Sequence, residues 1–173
     1  MSKFYPDMYQ KNIYSINYKK LKENGIKCLL FDLDNTCAPL DEKQPSKKLI
    51  NLFEELKEMN FKVIIFSNSS KKRIYPFKQQ LIVDCSARST KPLKYKLLKI
   101  IKKFNYDLSE VAIIGDHIMA DILCGNRVGI MTILVNPLSR NDKLTSKIVR
   151  NIEGIIINKM HKKGFFTIGK YYE

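Results

Sequence analysis

Residues 27–36, KCLLFDLDNT, form an apolar run that ends in two carboxylates. A short continuous apolar run is typical of a buried parallel strand, which we expect over residues 27–33. Asp32 and Asp34 lie two positions apart, so their side chains point to the same side of an extended segment. Two carboxylates at the end of a buried strand repel each other and are costly to ionise. A divalent cation such as Mg²⁺ relieves both problems.

Strand and helix patterns alternate along the following part of the chain. The apolar positions predict helices at 46–60, 70–80 and 118–128, and strands at 62–67, 82–85, 111–115 and 130–135. Pro76 is expected to kink or shorten its helix. A further helix is expected to begin at Pro92 and to carry Leu93, Leu97, Ile101 and Phe104 on its apolar face. Five strands alternating with helices predict an α/β fold, in which a central parallel sheet has helices on both faces.

The chain length of 173 residues fits one domain with a substantial core. We expect the core at 27–137, within a single domain that spans 1–173. Residues 1–26 predict one or two packing helices, and residues 138–173 form a basic segment with apolar residues at roughly helical intervals. Those apolar residues are Leu144, Ile148, Ile152, Ile155, Ile156 and Met160.

Composition excludes several classes of protein. Hydrophobic residues make up 45% of the chain, too large a share for a disordered or fibrous protein. No apolar run approaches the ~18 residues that a membrane-spanning helix needs, and residues 1–10 lack the apolar centre of a signal peptide. The cysteines form no C-x-x-C pair, and two histidines supply no zinc-site spacing. We therefore expect reduced thiols and a cytoplasmic protein.

The net charge is +14, and lysine supplies most of it. Such an excess favours an anionic partner, which could be a membrane surface, a nucleic acid or a phosphorylated substrate. The abundance of lysine, isoleucine and asparagine is also explained by compositional drift, as in proteins from AT-rich genomes. The two explanations are compatible.

Polar groups follow two other predicted strands. Ser67 ends a strand and Asn68 comes next, and a hydroxyl or amide there can donate to a phosphoryl oxygen. Serine and asparagine also cap helices, but that role suits Ser69 or Ser70 better than Ser67. Lys91 stands just before a predicted helix, where it is a candidate phosphate clamp. By itself, a lysine in so basic a chain is usually a solvated surface charge.

Two more carboxylates follow the strand predicted at 111–115. Asp116 ends that strand, and Asp121 lies about one turn into the next helix, so both can face the same cation. Helix capping explains one aspartate in such a place, and it explains two less readily. His117 is interpreted as a bystander, since proximity to Asp116 is no evidence of a role.

The order D-x-D-x-T, Ser, Lys and G-D-x-x-x-x-D, from Asp32 to Asp121, resembles the haloacid dehalogenase superfamily. The likeness of the core extends to about Val135. In detail, FDLDNT at 31–36, the Lys-Pro pair at 91–92 and the stretch 115–137 are similar to the subfamily IIIA phosphatases of the YqeG type. Cys37 stands where that family commonly has leucine or valine, which is a small packing change. A nucleophilic thiol would need a base, and none is evident near Cys37.

This resemblance implies a Mg²⁺-dependent phosphatase with a three-layer Rossmannoid fold and no cap domain. Asp32 would attack phosphorus to form an aspartyl-phosphate, and Asp34 would protonate the leaving alkoxide and then activate water. The implied phosphate-binding residues are Ser67 and Lys91, with Asn35, Thr36 and Asn68 as further substrate-binding residues. The implied metal ligands are Asp32, the backbone carbonyl of Asp34, Asp116 and Asp121.

The gaps from Asp32 to Ser67 and from Ser67 to Lys91 are too short for a cap domain, because a predicted helix fills much of each. We expect the substrate itself to cover so open a site, as a lipid head group, a protein or a nucleic-acid end would. Organellar relatives of the YqeG type dephosphorylate phosphatidylglycerophosphate, so the resemblance implies that lipid, at the inner face of the membrane, as the lead substrate. Basic residues of the last segment would contact an anionic bilayer, namely Arg140, Lys143, Lys147, Arg150, Lys159, Lys162, Lys163 and Lys170.

Three alternatives stay open at this point. The substrate could be a phosphoprotein, a nucleic-acid end or a soluble phosphate ester. The apolar residues of the segment 138–173 could pack on the core rather than face a bilayer. The chain could also be a basic nucleic-acid-binding module with an idle site, although it has no nucleic-acid motif and little arginine, and its aromatic residues do not interleave with basic ones.

Overall fold

The computed structural model describes residues 2–139, 144–164 and 166–173. The strands are β1 (Met8–Gln10), β2 (Cys28–Phe31), β3 (Lys62–Phe66), β4 (Asp84–Ser86), β5 (Val111–Gly115) and β6 (Met131–Val135). They form one sheet in the order β1-β6-β5-β2-β3-β4, and every neighbouring pair is parallel. The α-helices are α1 (Tyr18–Glu23), α2 (Lys47–Glu58), α3 (Lys71–Leu81), α4 (Tyr95–Lys103), α5 (Leu123–Val128) and α6 (Leu144–Lys162).

The central strand β2 is buried on both faces, which explains its continuous apolar run. Leu29 and Phe31 pack into a core with helices α2 and α3, whereas Cys28 and Leu30 pack into a second core with α4 and α5. The period-two alternation of a strand makes this division. The predicted class, a parallel α/β sheet with helices on both faces, is therefore confirmed.

Helix α2 illustrates how local sequence sets an element in place. The Ser46 side chain accepts a hydrogen bond from the backbone N–H of Leu49 at 3.2 Å, which caps the first turn. The buried face of the helix is its apolar stripe, formed by Leu49, Leu52, Phe53 and Leu56. The helix predicted at 46–60 is thus confirmed to within two residues at its end.

The prediction of five strands is wrong, because the N-terminal flank contributes a sixth. β1 pairs with β6, with Met8 opposite Ile133, and Asp7 receives the N–H and hydroxyl of Thr132. Only one α-helix, α1, forms between residues 2 and 26, together with two 3₁₀ turns at Ser2–Phe4 and Ile13–Ser15. A strand as short as β1 is defined by its lateral partner, which a single sequence does not reveal.

Three other expectations are corrected by a few residues. Strand β4 begins two residues later than predicted, because Ile82 ends α3 in a left-handed conformation with φ of 52°. Helix α3 continues through Pro76. Pro92 does not open the next helix, which begins at Tyr95. Leu93 is consequently 60% exposed rather than buried in the core.

The C-terminal segment returns to the sheet. Helix α6 buries Met160 beside Tyr9, and Tyr172 bridges Tyr9 through two backbone hydrogen bonds of 3.0 Å, which covers the edge of β1. Arg140 and Lys143 lie outside the described residues, as do the side chains of Leu144, Lys147 and Ile148. No helix in the described ranges combines the length and the apolar character needed to cross a bilayer.

Candidate active site

The predicted site residues meet at the carboxyl edge of the sheet. Asp32 follows β2, Ser67 follows β3 and Asp116 follows β5, and these three strands are neighbours in the order β5-β2-β3. Open parallel sheets bind ligands at this edge. A cavity of about 430 Å³ opens there, and its polar lining includes Asp32, Asp34, Ser67, Asn68, Lys91 and Asp121.

Lys91 is a buried ion-pair centre and not a solvated surface charge. Its ammonium lies 2.7 Å from Oδ1 of Asp32 and 2.6 Å from Oδ1 of Asp121, and it donates to the Phe66 carbonyl at 2.8 Å. Burial alone would lower the pKa of Lys91, but the charges of Asp121 and Asp32 outweigh burial and raise it. The side chain therefore stays charged at neutral pH and neutralises part of the acidic cluster.

The acidic cluster consists of Asp32, Asp116 and Asp121, all buried, with one carboxylate oxygen of each within 4.8 Å of the others. Burial raises the pKa of Asp32 and that of Asp116, although neighbouring cations oppose this effect. Three buried oxygen donors so close together match the hard-ligand preference of Mg²⁺. The residues present therefore fit a divalent cation.

Position 115 must be a glycine because the carboxylate of Asp121 lies directly against its backbone. A Cβ at position 115 would lie 2.1 Å from Cγ of Asp121, well inside the distance that real atoms tolerate. Asp121 itself lies in a π-helical turn, Ile118–Ile122, that precedes α5, and the N–H of His117 donates to its Oδ2 at 3.1 Å. The glycine of the G-D-x-x-x-x-D pattern thus makes room for its last member.

Asp34 is held at the cavity wall by two residues that the sequence analysis did not assign to the site. The Ser69 hydroxyl donates to Oδ2 of Asp34, and Nε of Arg73 donates to Oδ1 at 2.9 Å. Arg73 also donates to the carbonyls of Pro39 and Glu42, so it ties Asp34 to the loop after β2. Ser70, not Ser69, caps α3. The one feature of the sequence that could have indicated the contact with Asp34 is the position of Arg73, in the first turn of the helix that follows β3.

The predicted substrate-binding residues each have partners within the protein. Oδ1 of Asn68 accepts from the N–H of Lys91 at 2.8 Å, and its amide donates to the Lys91 carbonyl at 3.1 Å. Thr36 donates to Oδ1 of Asp116 at 2.7 Å, and Oδ1 of Asn35 accepts from Ser139 at 2.9 Å. Asn68 and Thr36 thus hold Lys91 and Asp116 in place. Their contact with a substrate, like that of Asn35, stays a prediction.

Helix α6 brings two further residues that the sequence did not single out for the site. Arg150 donates to the carboxylate of Asp116, and the buried Glu153 accepts from the N–H of Met119 at 2.7 Å. Burial by itself would lower the pKa of His117, but the hydrogen bond to Glu153 and nearby carboxylates raise it to about 9. His117 therefore has a structural partner, Glu153.

Cys37 packs in the core beside the site. Burial raises its pKa well above the ordinary value, so its thiol stays protonated and is a poor nucleophile. This agrees with the interpretation of Cys37 as a packing residue.

Comparison with known proteins decides the family. Residues 7–129 match the haloacid dehalogenase-like hydrolases. The chain belongs to this family. The hydrolase is 34% identical over 161 residues to the probable phosphatase YqeG of Bacillus subtilis (strain 168). The aligned residues make up 93% of this chain and 94% of that protein. The predicted superfamily and the predicted enzyme class, a phosphatase, are both confirmed.

A second relative of the hydrolase is phosphatidylglycerophosphate phosphatase 1, chloroplastic/mitochondrial, of Arabidopsis thaliana. The identity is 27% over 169 residues, which is 92% of this chain but only 49% of that protein.

Solved structures confirm the fold. An uncharacterised protein from Listeria monocytogenes serotype 4b superposes with a TM-score of 0.55 at 18% identity, covering 69% of this chain and 85% of its own. The cobalt-bound deoxy-D-mannose-octulosonate 8-phosphate phosphatase of Haemophilus influenzae superposes with a TM-score of 0.53 at 13% identity. The superposition covers 84% of this chain and 95% of that protein.

Proposed function

We propose that this hydrolase is a Mg²⁺-dependent phosphomonoesterase that forms an aspartyl-phosphate on Asp32. The observation that carries the proposal is the position of Asp32. Its carboxylate is buried at an open cavity, 2.7 Å from the Lys91 ammonium and beside the carboxylates of Asp116 and Asp121. Phosphoryl transfer depends mainly on positioning and on neutralising charge, and this arrangement provides both.

The two chemical steps divide the work between two carboxyl groups. An oxygen of Asp32 bonds to phosphorus while the ester P–O bond breaks, and Asp34 gives its proton to the leaving alkoxide. Asp34 then takes a proton from water, the water oxygen bonds to phosphorus, and the bond to Asp32 breaks. Phosphate leaves, and both carboxyl groups return to their starting states. Ser67, which lines the same cavity, and Lys91 hold the phosphoryl oxygens.

Asp32, Asp116 and Asp121 would hold the cation, together with the backbone carbonyl of Asp34. When bound, Mg²⁺ supplies positive charge that stabilises the phosphoryl oxygens. Thr36 orients the Asp116 carboxylate through its 2.7 Å hydrogen bond. Asn68 orients Lys91 through both backbone groups of that lysine.

Phosphatidylglycerophosphate is the lead substrate of this proposal. The Arabidopsis relative that carries this activity in its name aligns with 92% of the chain. Helix α6 exposes Ile152 and Ile155 to solvent and carries Lys159, a combination suited to an anionic bilayer. Each basic residue near such a surface contributes about 1 kcal/mol to binding. The enzyme would then be cytoplasmic and meet its lipid at the inner face of the membrane.

Helix α6 does not offer its whole apolar face to a membrane. Ile156 packs against the cluster that includes Met160 and Phe166. Part of the predicted apolar stripe therefore serves the core, and only its outer part is available for lipid.

We expect EDTA to abolish release of phosphate from an aryl phosphate and Mg²⁺ to restore it. Since Lys91 and Arg150 neutralise the three buried carboxylates only in part, Mg²⁺ should also stabilise the fold. At a concentration about 100-fold above Kd, the gain is about 2.7 kcal/mol, or ~5–10 °C in Tm. Calorimetry in EDTA and in Mg²⁺ measures this, with NaCl of equal ionic strength as the control. Full activity in EDTA would contradict the proposal.

For the substrate, we expect Mg²⁺-dependent phosphate release from vesicles that contain phosphatidylglycerophosphate, at a higher kcat/KM than from soluble phosphate esters. The open cavity and the basic, partly apolar outer face of α6 are the physical reasons. A matched panel of a phosphopeptide, a DNA 3′-phosphate and a sugar phosphate identifies the rival substrates. No release from the lipid, with turnover of another member of the panel, would eliminate the lipid but keep the phosphatase.

A further inference from the structure

Helix α6 lies beyond residues 7–129, which match the haloacid dehalogenase-like hydrolases, and its Arg150 contacts the acidic cluster directly. Two of its residues, one helical turn apart, face the loop between β5 and α5. Arg150 donates from Nη1 to the backbone carbonyl of Asp116 at 2.9 Å and from Nη2 to the Asp116 carboxylate. One guanidinium thereby fixes both the backbone and the side chain of the same residue.

Glu153 holds the next residues of that loop. Glu153 is only 3% exposed, and its carboxylate accepts the N–H of Met119 at 2.7 Å and lies 3.2 Å from Nδ1 of His117. It also pairs with Nη1 of Arg150 at 3.5 Å. The two α6 residues therefore brace the segment 116–119, whose last two residues begin the π-helical turn that carries Asp121.

The charged groups around Asp116 hold its carboxylate in a fixed orientation. The buried carboxylates of Asp32 and Asp121 share Lys91, whereas Asp116 pairs with Arg150. Thr36 reaches Oδ1 of Asp116, and Arg150 reaches Oδ2. With a partner on each oxygen, the carboxylate is held in one orientation. Groups that orient a ligating side chain typically change metal affinity by about 10- to 100-fold.

We infer that Arg150, braced by Glu153, is a positioning residue for Mg²⁺ that holds Asp116 in the orientation needed to ligate the ion. The inference rests on the proposed function in so far as Asp116 is a ligand. It makes α6 part of the metal centre rather than a basic flank outside the core, and it assigns Arg150 to the site instead of to a membrane surface.

The test compares Arg150→Met with Lys159→Met, which removes the same charge from an exposed position of the same helix. Isothermal titration with Mg²⁺ alone, and Mn²⁺ titration followed by electron paramagnetic resonance, measure Kd without turnover. We expect Arg150→Met to weaken binding by about 10- to 100-fold and Lys159→Met to bind as the wild type does. Saturating Mg²⁺ should restore most of kcat in Arg150→Met. A circular dichroism spectrum in EDTA like that of the wild type should show that the variant is folded before the ion is added, so that the weaker binding is not a folding defect.

Arg150→Lys separates geometry from charge. It keeps the positive charge but cannot donate to the carbonyl and the carboxylate of Asp116 together, so we expect a Kd between those of the wild type and Arg150→Met. Unchanged or tighter Mg²⁺ binding by Arg150→Met would overturn the inference, since the guanidinium would then be neutral toward the ion or in competition with it. A wild-type protein that binds no divalent ion would overturn the proposed function as well.

Discussion

We expect Asp32→Asn to lower Mg²⁺-dependent phosphate release from an aryl phosphate by a factor on the order of 10⁴ or more, because the amide cannot form the covalent intermediate. The variant should still fold, since Lys91 keeps its 2.6 Å contact with Asp121. Steady-state phosphate release measures the loss. Rapid acid quench with ³²P-labelled substrate should trap a phosphorylated protein for the wild type and none for the variant.

The matched control is Asp41→Asn, which makes the same change at an exposed position of the loop after β2. Its activity should equal that of the wild type. If Asp32→Asn kept its activity, the nucleophile would lie elsewhere, and the assignment of Asp34, Ser67 and Lys91 to the same reaction would fail with it.

Lys91→Met is expected to destabilise the metal-free protein strongly. The substitution leaves the buried carboxylates of Asp32 and Asp121 without their shared cation, and removing one partner of a buried ion pair costs about 3–5 kcal/mol. For a chain of this length, the loss corresponds to ~6–20 °C in Tm. Since the fold raises the pKa of Lys91, its stabilisation is fully present below the unfolded value of 10.5 and therefore at neutral pH.

The pH dependence and a double variant make this prediction specific. Burial raises the pKa of Asp32, so a falling pH should protonate that carboxyl and reduce the penalty of Lys91→Met. Adding Asp121→Asn removes one of the two unpaired charges, so the double variant should regain part of the lost stability. Chemical denaturation in EDTA measures each step. Lys99→Met, at an exposed position of α4, is the control. Equal stability of Lys91→Met and the wild type would mean that Lys91 does not neutralise the cluster.

The strand ends were the most predictable part of this protein. A continuous apolar run needs no partner to be recognised, and a polar residue that follows one must lie at an end of the sheet. For that reason the sequence alone places Asp32, Ser67 and Asp116 together. The position of Asp121 was also predictable, because a side chain about one turn into a helix points back toward the end of the preceding strand.

Partnerships between distant segments could not be read in the same way. Asp34 is bound by Arg73 and Ser69, and Asp116 by Arg150. In the sequence, little distinguishes these three residues from the many other polar residues of the chain. Lys91 posed the same difficulty in a chain with 31 basic residues. The family resemblance marks Lys91 as a phosphate-binding residue, but only the structure shows that it lies buried between two carboxylates.

The parallel α/β class could be predicted from the sequence alone, as could the acidic residues and the edge of the sheet at which they meet. This was possible because apolar periodicity and side-chain direction are local properties of the chain. Only the folded chain shows that β1 adds a sixth strand, that Lys91 is a buried counter-ion and that Arg150 of α6 contacts the carboxylate of Asp116. Those features depend on which distant segments pack together, because a buried charge needs a partner and only the folded chain shows which residue supplies it.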